Sequence, residues 1–556
     1  MADKKQQLEK CAHLLSKKST DDEKLAGLLL VPKIVDIQDA ESLGFLLDSM
    51  DSQFIERLLR TGIKQAISTT STEAENIPDN RPNSIPPMLS VALLVIDVFA
   101  SHSSFAQQLS IVNRTRTLCA VAALDIESVA DDAIQVLCKI FAEDVAVEML
   151  LEQPDILFGV VDAAKTLKSG SLARTQFIDY VLSRCSQALH LQIQNVRFAA
   201  GWVSLLTYVS AVFLEAESIV KFELIPALAS ALMPIDFEDA VAINDIAACV
   251  SIINNIRLGC VWILRQKAEA TKYCDQALVL CSHLVRLWPD LMFSSAGSKA
   301  EAKDDNDYHA QQEQHKATKL IIRLACVEGQ NAIDSMVISV PTDKDIQFSG
   351  INVVDSARLQ LGWKLPFCAE IAARWLEWTE EWLNMQGDDL ADVDEEAIYS
   401  LMSDVSKLSE AAIGFLVDWK ERTNSDLAML TANAEMVVST VHLLGTWLST
   451  DSKLHKLAPP VLEMCTSWIT QSDQYGPSIR EYMRPSISFA LDTCEVSEAQ
   501  YVDDLKTHQL HHAPKMTQQF ASSWVGTIEF DDLARAVYGI PSDEEMLEQS
   551  RNCEHI

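Results

Sequence analysis

The side chains best placed for chemistry here are aromatic and acidic. Trp375, Trp378 and Trp382 stand at i, i+3 and i+7 in a stretch that follows Pro366 and reads as a long helix. That spacing puts three indoles on one face. Glu377, Glu380 and Glu381 lie beside them. Such a stripe serves either as core packing or as an aromatic ridge for a partner, because tryptophan anchors interfaces well. Trp375, Trp378, Trp382, Glu377 and Glu381 are therefore the candidate protein-binding residues, suited to a basic peptide.

Other constellations carry less. His508, His511 and His512 cluster, but Cys494 and Cys553 lie far away in sequence, and a zinc site needs about four ordered ligands. Six acidic residues between Asp388 and Glu396 lack the central glycine and terminal glutamate spacing of a calcium-binding EF-hand loop. The chain shows no phosphate-cradling glycine loop, nucleophile elbow, metalloprotease helix or kinase signature. Gly297-Ser298-Lys299 sits in a polar insert with no preceding strand. No enzyme, metal or cofactor is expected. Cys11 lies in a basic N-terminal segment, residues 1–20, read as mobile; it is a possible acylation site giving at most weak membrane association.

Composition narrows the partners. The 556 residues carry a formal net charge of -34, which repels nucleic acid and anionic membrane and attracts basic protein segments. The 13 cysteines are dispersed, with no Cys-x-x-Cys pair, as in a reducing compartment. No uninterrupted apolar run reaches membrane-span length; the nearest, residues 87–100, is short and contains Asp97. A cytoplasmic location is expected.

Apolar residues recur with helical period along most of the chain, while glycine and proline are scarce at 17 each. Residues 89–94 are apolar nearly all round, which predicts a central helix. Helices are expected near 125–141, 153–167, 173–191, 196–214 and 219–232, with Pro226 and Pro234 interrupting the last region. Polar stretches at 68–86 and 294–314 read as solvated loops, 387–396 as an acidic break, and 543–556 as a charged tail. Many helices of about 12–22 residues with short turns predict an all-α fold. One core cannot grow past ~250–300 residues, so the architecture is an armadillo/HEAT-like α-solenoid with long polar loop insertions.

Several segments resemble the neurochondrin family. They include the apolar run Leu28-Leu29-Leu30-Val31-Pro32-Lys33, then Phe54-Ile55-Glu56-Arg57-Leu58-Leu59 and Ser90-Val91-Ala92-Leu93-Leu94. Lys221-Phe222-Glu223-Leu224, Leu324-Ala325-Cys326-Val327-Glu328 and Leu444-Gly445-Thr446-Trp447-Leu448 follow in the family's order. Ser449, Thr450 and Asp451 replace an acidic pattern after Trp447, and little matches past Pro477. A neurochondrin-like helical-repeat domain is thus expected over 21–475, with further helices over 476–542. The resemblance implies a non-enzymatic cytoplasmic scaffold linked to neurite outgrowth and to restraint of calcium/calmodulin-dependent protein kinase II. Its expected partners are proteins with basic segments, among them a protein kinase or signalling receptor. An armadillo-class transport or assembly adaptor is the alternative. Against the importin-α mechanism, none of the 11 tryptophans has asparagine four residues on.

Overall fold

A computed structural model of the chain describes residues 2–36, 39–72, 86–124, 126–166, 172–192, 196–216, 219–232, 246–266, 271–297, 305–338, 363–386, 395–423, 434–450, 457–493, 499, 502 and 528–540. Helices make up the regular structure among these residues, and no strand occurs among them. The chain divides into two compact units, 1–259 and 260–556.

In the first unit the helices are α1 (Ala2–Leu15), α2 (Asp21–Ile34), α3 (Ala40–Ser49), α4 (Ser52–Thr72), α5 (Pro87–Ala100), α6 (Ser103–Ala106), α7 (Leu109–Val112), α8 (Thr115–Ala122), α9 (Glu127–Phe141), α10 (Val145–Glu152), α11 (Ile156–Thr166), α12 (Leu172–Gln192), α13 (Val196–Glu215), α14 (Ile219–Leu232) and most of α15 (Ile246–Leu264). Local chemistry sets several boundaries. Thr20 and Glu23 form a reciprocal capping box at the start of α2, and Asp39 caps α3 through the Ser42 amide. Pro87 occupies the first turn of α5, where its missing N–H costs nothing.

Packing runs in two rows. One row proceeds α2, α5, α9, α12, α14; the other α4, α8, α11, α13. Successive members of each row pack on one another, and from α4 and α5 onward the two rows pack together, the stacking of an α-solenoid. As its sequence predicts, α5 is central: Leu89, Ala92, Leu93, Val95, Ile96 and Phe99 are all buried.

The second unit repeats the scheme. After α16 (Thr271–Leu287) and α17 (Pro289–Gly297) come α18 (Asp305–Ile338), α19 (Leu365–Gln386), α20 (Glu395–Thr423), α21 (Ala434–Leu448), α22 (Pro459–Gln471), α23 (Gly476–Thr493) and α24 (Ile528–Tyr538). One row is α16, α19, α21, α23; the other is α17, α18, α20, α22, α24.

Several expectations need correction. The N-terminal segment is helix α1, packed on α2 and α3 through Leu8, Cys11, Ala12 and Leu15. Lys5 and Lys10 are exposed while this stripe supplies the burial that holds the helix. Pro226 lies inside α14, where the loss of one intrahelical hydrogen bond is outweighed by buried Leu224, Ile225, Ala227 and Leu228. The predicted loop at 294–314 is helical from Asp305 onward, continuous with the apolar-striped part of α18. The start of the loop expected over 68–86 is helical, since α4 runs to Thr72, and residues 73–85 lie outside the described residues. The helix Val196–Glu215 and the segment Ala247–Leu264 are each long and apolar enough to cross a membrane; 56% and 50% of those windows are buried within the protein. Polar residues such as Ser204, Thr207, Asn254 and Arg257 hid these spans from a search for unbroken apolar runs. The acidic stretch 387–394, the histidines at 508, 511 and 512 and the tail from 543 lie outside the described residues.

Candidate protein-binding groove

Three faces of α19 do three different jobs. The first carries Trp375, Trp378 and Trp382. The structure places Trp375 and Trp378 in the core, so they form no exposed ridge. Trp378 packs against Phe293 of α17 at 5.9 Å between ring centroids, and the half-buried Trp382 stacks on Trp378 at 5.7 Å and 15°. The i, i+3, i+7 spacing correctly defines a face, but α17 and α18 cover it.

The second face carries Glu370, Arg374 and Glu377, and it meets His442 of α21. The imidazole is 2% exposed. Its Nδ1 lies 3.3 Å from Glu370 Oε2 and its Nε2 lies 2.7 Å from Glu377 Oε1. Arg374 bridges the same carboxylates from the side, donating through Nε to Glu370 and through Nη1 to Glu377, both at 3.0 Å. Tyr482 of α23 stacks on the imidazole at 4.1 Å and 18°. Thr446 Oγ1 donates a longer hydrogen bond to Glu377 at 3.4 Å.

With both carboxylates ionised, the imidazolium donates from both nitrogens, and two anions balance two cations. Burial alone would lower the His442 pKa, but hydrogen bonds and charge from Glu370 and Glu377 outweigh it and raise the value. Burial likewise works against ionising Glu370, yet His442 and Arg374 hold it down at about 2. Glu377, expected to face a partner, is therefore a structural anion between helices. This arrangement locks α19, α21 and α23 together; its groups are mutually satisfied, so it is a clamp, not a reactive centre.

The third face borders a groove. Leu376, Thr379, Glu380, Leu383 and Asn384 form one wall. Glu395, Ile398, Tyr399, Met402, Ser406 and Lys407 of α20 form the other, and Trp447 and Thr450 also line it. The volume of the groove is about 770 Å³. The gap exists because α19 and α20 each pack mainly on α18 and α21, not on one another. On α20 the core stripe is Ala397, Leu401, Val405, Leu408 and Ala412. Ile398, Tyr399 and Met402 form a second apolar stripe that the core leaves over. Tyr399 is 71% exposed and Leu383 36% exposed.

Two carboxylates line this groove: Glu395 where α20 begins and Glu380 halfway along the α19 wall, with Glu381 exposed beside it. Partial burial together with Glu381 and Glu377 pushes the Glu380 pKa up. Lys407 stands toward the other end, paired with Asp404 at 3.4 Å.

The sequence analysis missed the groove because it sought one aromatic face. The doubled stripe on α20 was the available signal. Cys11, the possible acylation site, is fully buried and donates to the Gly27 carbonyl at 3.5 Å. Burial raises its pKa to about 11, which leaves no accessible thiolate for acylation in the folded protein. Among the described residues no group of three or more His, Cys, Asp or Glu is placed to hold a metal ion.

Two rows of stacked helices, with an open apolar channel between neighbouring members, define an all-α protein of the solenoid class. The family model described as Neurochondrin matches residues 2–471, and the chain belongs to the neurochondrin family. The match takes in α1 and ends with the last residue of α22, so α23, with the clamp residue Tyr482, lies beyond it. This is not a known enzyme family. No curated protein matches the chain.

Proposed function

We propose that this neurochondrin-family protein is a non-enzymatic cytoplasmic scaffold that regulates other proteins by holding them, with the groove between α19 and α20 as a contact surface. The observation that carries this reading is the placement of Leu383, Tyr399 and Met402 in an open channel that Glu380 and Glu395 also line. Exposed apolar side chains gathered in one concavity gain from being covered, and the acidic surroundings select a basic partner. The family resemblance supplies a partner class to try first: a calcium/calmodulin-dependent protein kinase, whose phosphorylation the bound scaffold restrains.

The test is crosslinking mass spectrometry on complexes isolated with the full chain from its source cells, followed by binding of each identified partner to purified protein. An identified partner crosslinked beside the groove, whose affinity falls several-fold from low to physiological salt, supports the proposal. Partners whose binding is untouched by Tyr399→Asp overturn the assignment of the groove.

A further inference from the structure

We infer that the groove between α19 and α20 receives one short amphipathic helix from a partner protein, laid between the two walls, with a lysine or arginine at its acidic end. This deepens the protein-binding reading of the same groove and rests on it.

The dimensions argue for a helix. The wall on α19 runs from Leu376 to Asn384, about 12 Å of helix axis, and the wall on α20 runs from Glu395 to Lys407, about 18 Å. Two to three helical turns fill that length. Both walls present side chains at helical spacing: Leu376, Thr379 and Leu383 on one, Ile398, Met402 and Ser406 on the other. A partner helix with apolar residues at i, i+3 or i+4, and i+7 meshes its ridges with those rows. An extended strand has no template, because no sheet edge exists among the described residues. A volume of about 770 Å³ holds several large side chains and excludes a folded domain.

Charge fixes the orientation. Glu395 marks the end where α20 begins, and Glu380 adds a carboxylate halfway along the α19 wall. A cationic residue of the ligand belongs beside these groups. Lys407, toward the other end, suits a polar or acidic residue.

The probe is a set of three labelled synthetic peptides of about 12 residues, three helical turns, titrated into the full-length protein by fluorescence anisotropy. The first is an amphipathic helix with lysines at one end. The second replaces those lysines with glutamate. The third keeps the composition of the first but carries a central proline that breaks the helix. The first should bind, and the other two should bind at least about tenfold more weakly, a difference near 1.4 kcal/mol. Tyr399→Asp and Glu380→Lys should each weaken the first peptide about tenfold. Both side chains are exposed, so both variants should keep the wild-type circular-dichroism melt.

Equal binding of the proline peptide overturns the helix and favours an extended ligand or general stickiness. Equal binding of the glutamate peptide overturns the basic end. If no peptide binds while an identified protein partner is lost on Tyr399→Asp, the groove survives as a contact surface and the helical occupant fails. Failure of both readings is marked by partner binding indifferent to Tyr399→Asp.

Discussion

His442 shows how far one residue's role depends on its neighbours. Alone in sequence it is a histidine in a largely apolar helix. Folded, it is a buried imidazole held between Glu370 and Glu377. Its raised pKa means that its stabilising contribution is complete below the ordinary value of 6.5 and disappears as pH climbs through the folded value. Glu370 works in the opposite sense: its contribution is complete above the ordinary 4.5 and is lost as pH falls through about 2. Between 4.5 and 6.5 both are in force. His442→Gln should cost about 3 kcal/mol near pH 5.5, since it leaves two carboxylates sharing Arg374. The gap between wild type and variant, measured by urea denaturation, should narrow toward pH 9. A gap independent of pH means that the imidazole acts by shape alone.

At the scale of the element, α21 is the helix on which the second unit is assembled. Val437, Val441, Leu443, Leu444, Trp447 and Leu448 are buried on it, together with Thr440, His442 and Thr446. It packs on α19, α20 and α23. Its approach to α23 is so close that a Cβ on Gly445 would lie 2.1 Å from the backbone oxygen of Tyr482. Backbone on the opposing side cannot rotate away. Gly445→Ala should therefore push the helices apart and cost about 1–3 kcal/mol, against the usual gain from alanine in a helix. It should also disturb the stacking of Tyr482 on His442. A thermal melt unchanged by the substitution contradicts this packing. The groove is the converse case: α19 and α20 are held by shared neighbours and never close on one another.

For the whole molecule, the governing quantity is the net charge of -34. Like charge destabilises any compact state, and salt screens it. Raising sodium chloride from low to physiological concentration at neutral pH should raise the melting temperature by a few degrees, while weakening a basic ligand in the groove. The two responses have opposite signs because one relieves repulsion within the protein and the other screens attraction to a partner. A melting temperature that falls with salt would show that the ion pairs, such as Lys24–Asp51 and Lys364–Glu328, outweigh the excess of acid.

Helical periodicity and the order of family segments were enough to establish the all-α class, the neurochondrin relationship and most helix positions in the first unit. These are local properties: an apolar stripe at 3.6-residue spacing declares a helix and a buried face wherever it lies. What covers each face is a long-range matter. Sequence spacing put Trp375, Trp378 and Trp382 together but did not reveal that α17 and α18 occupy their side. It gave Cys11 a basic setting but not the α2 carbonyl that receives its thiol. It offered no way to see that residues 72 positions apart, Glu370 and His442, meet in one clamp, or that α19 and α20 leave a gap. Those outcomes follow from which helices compete for the same surface, and only the packed chain resolves that competition.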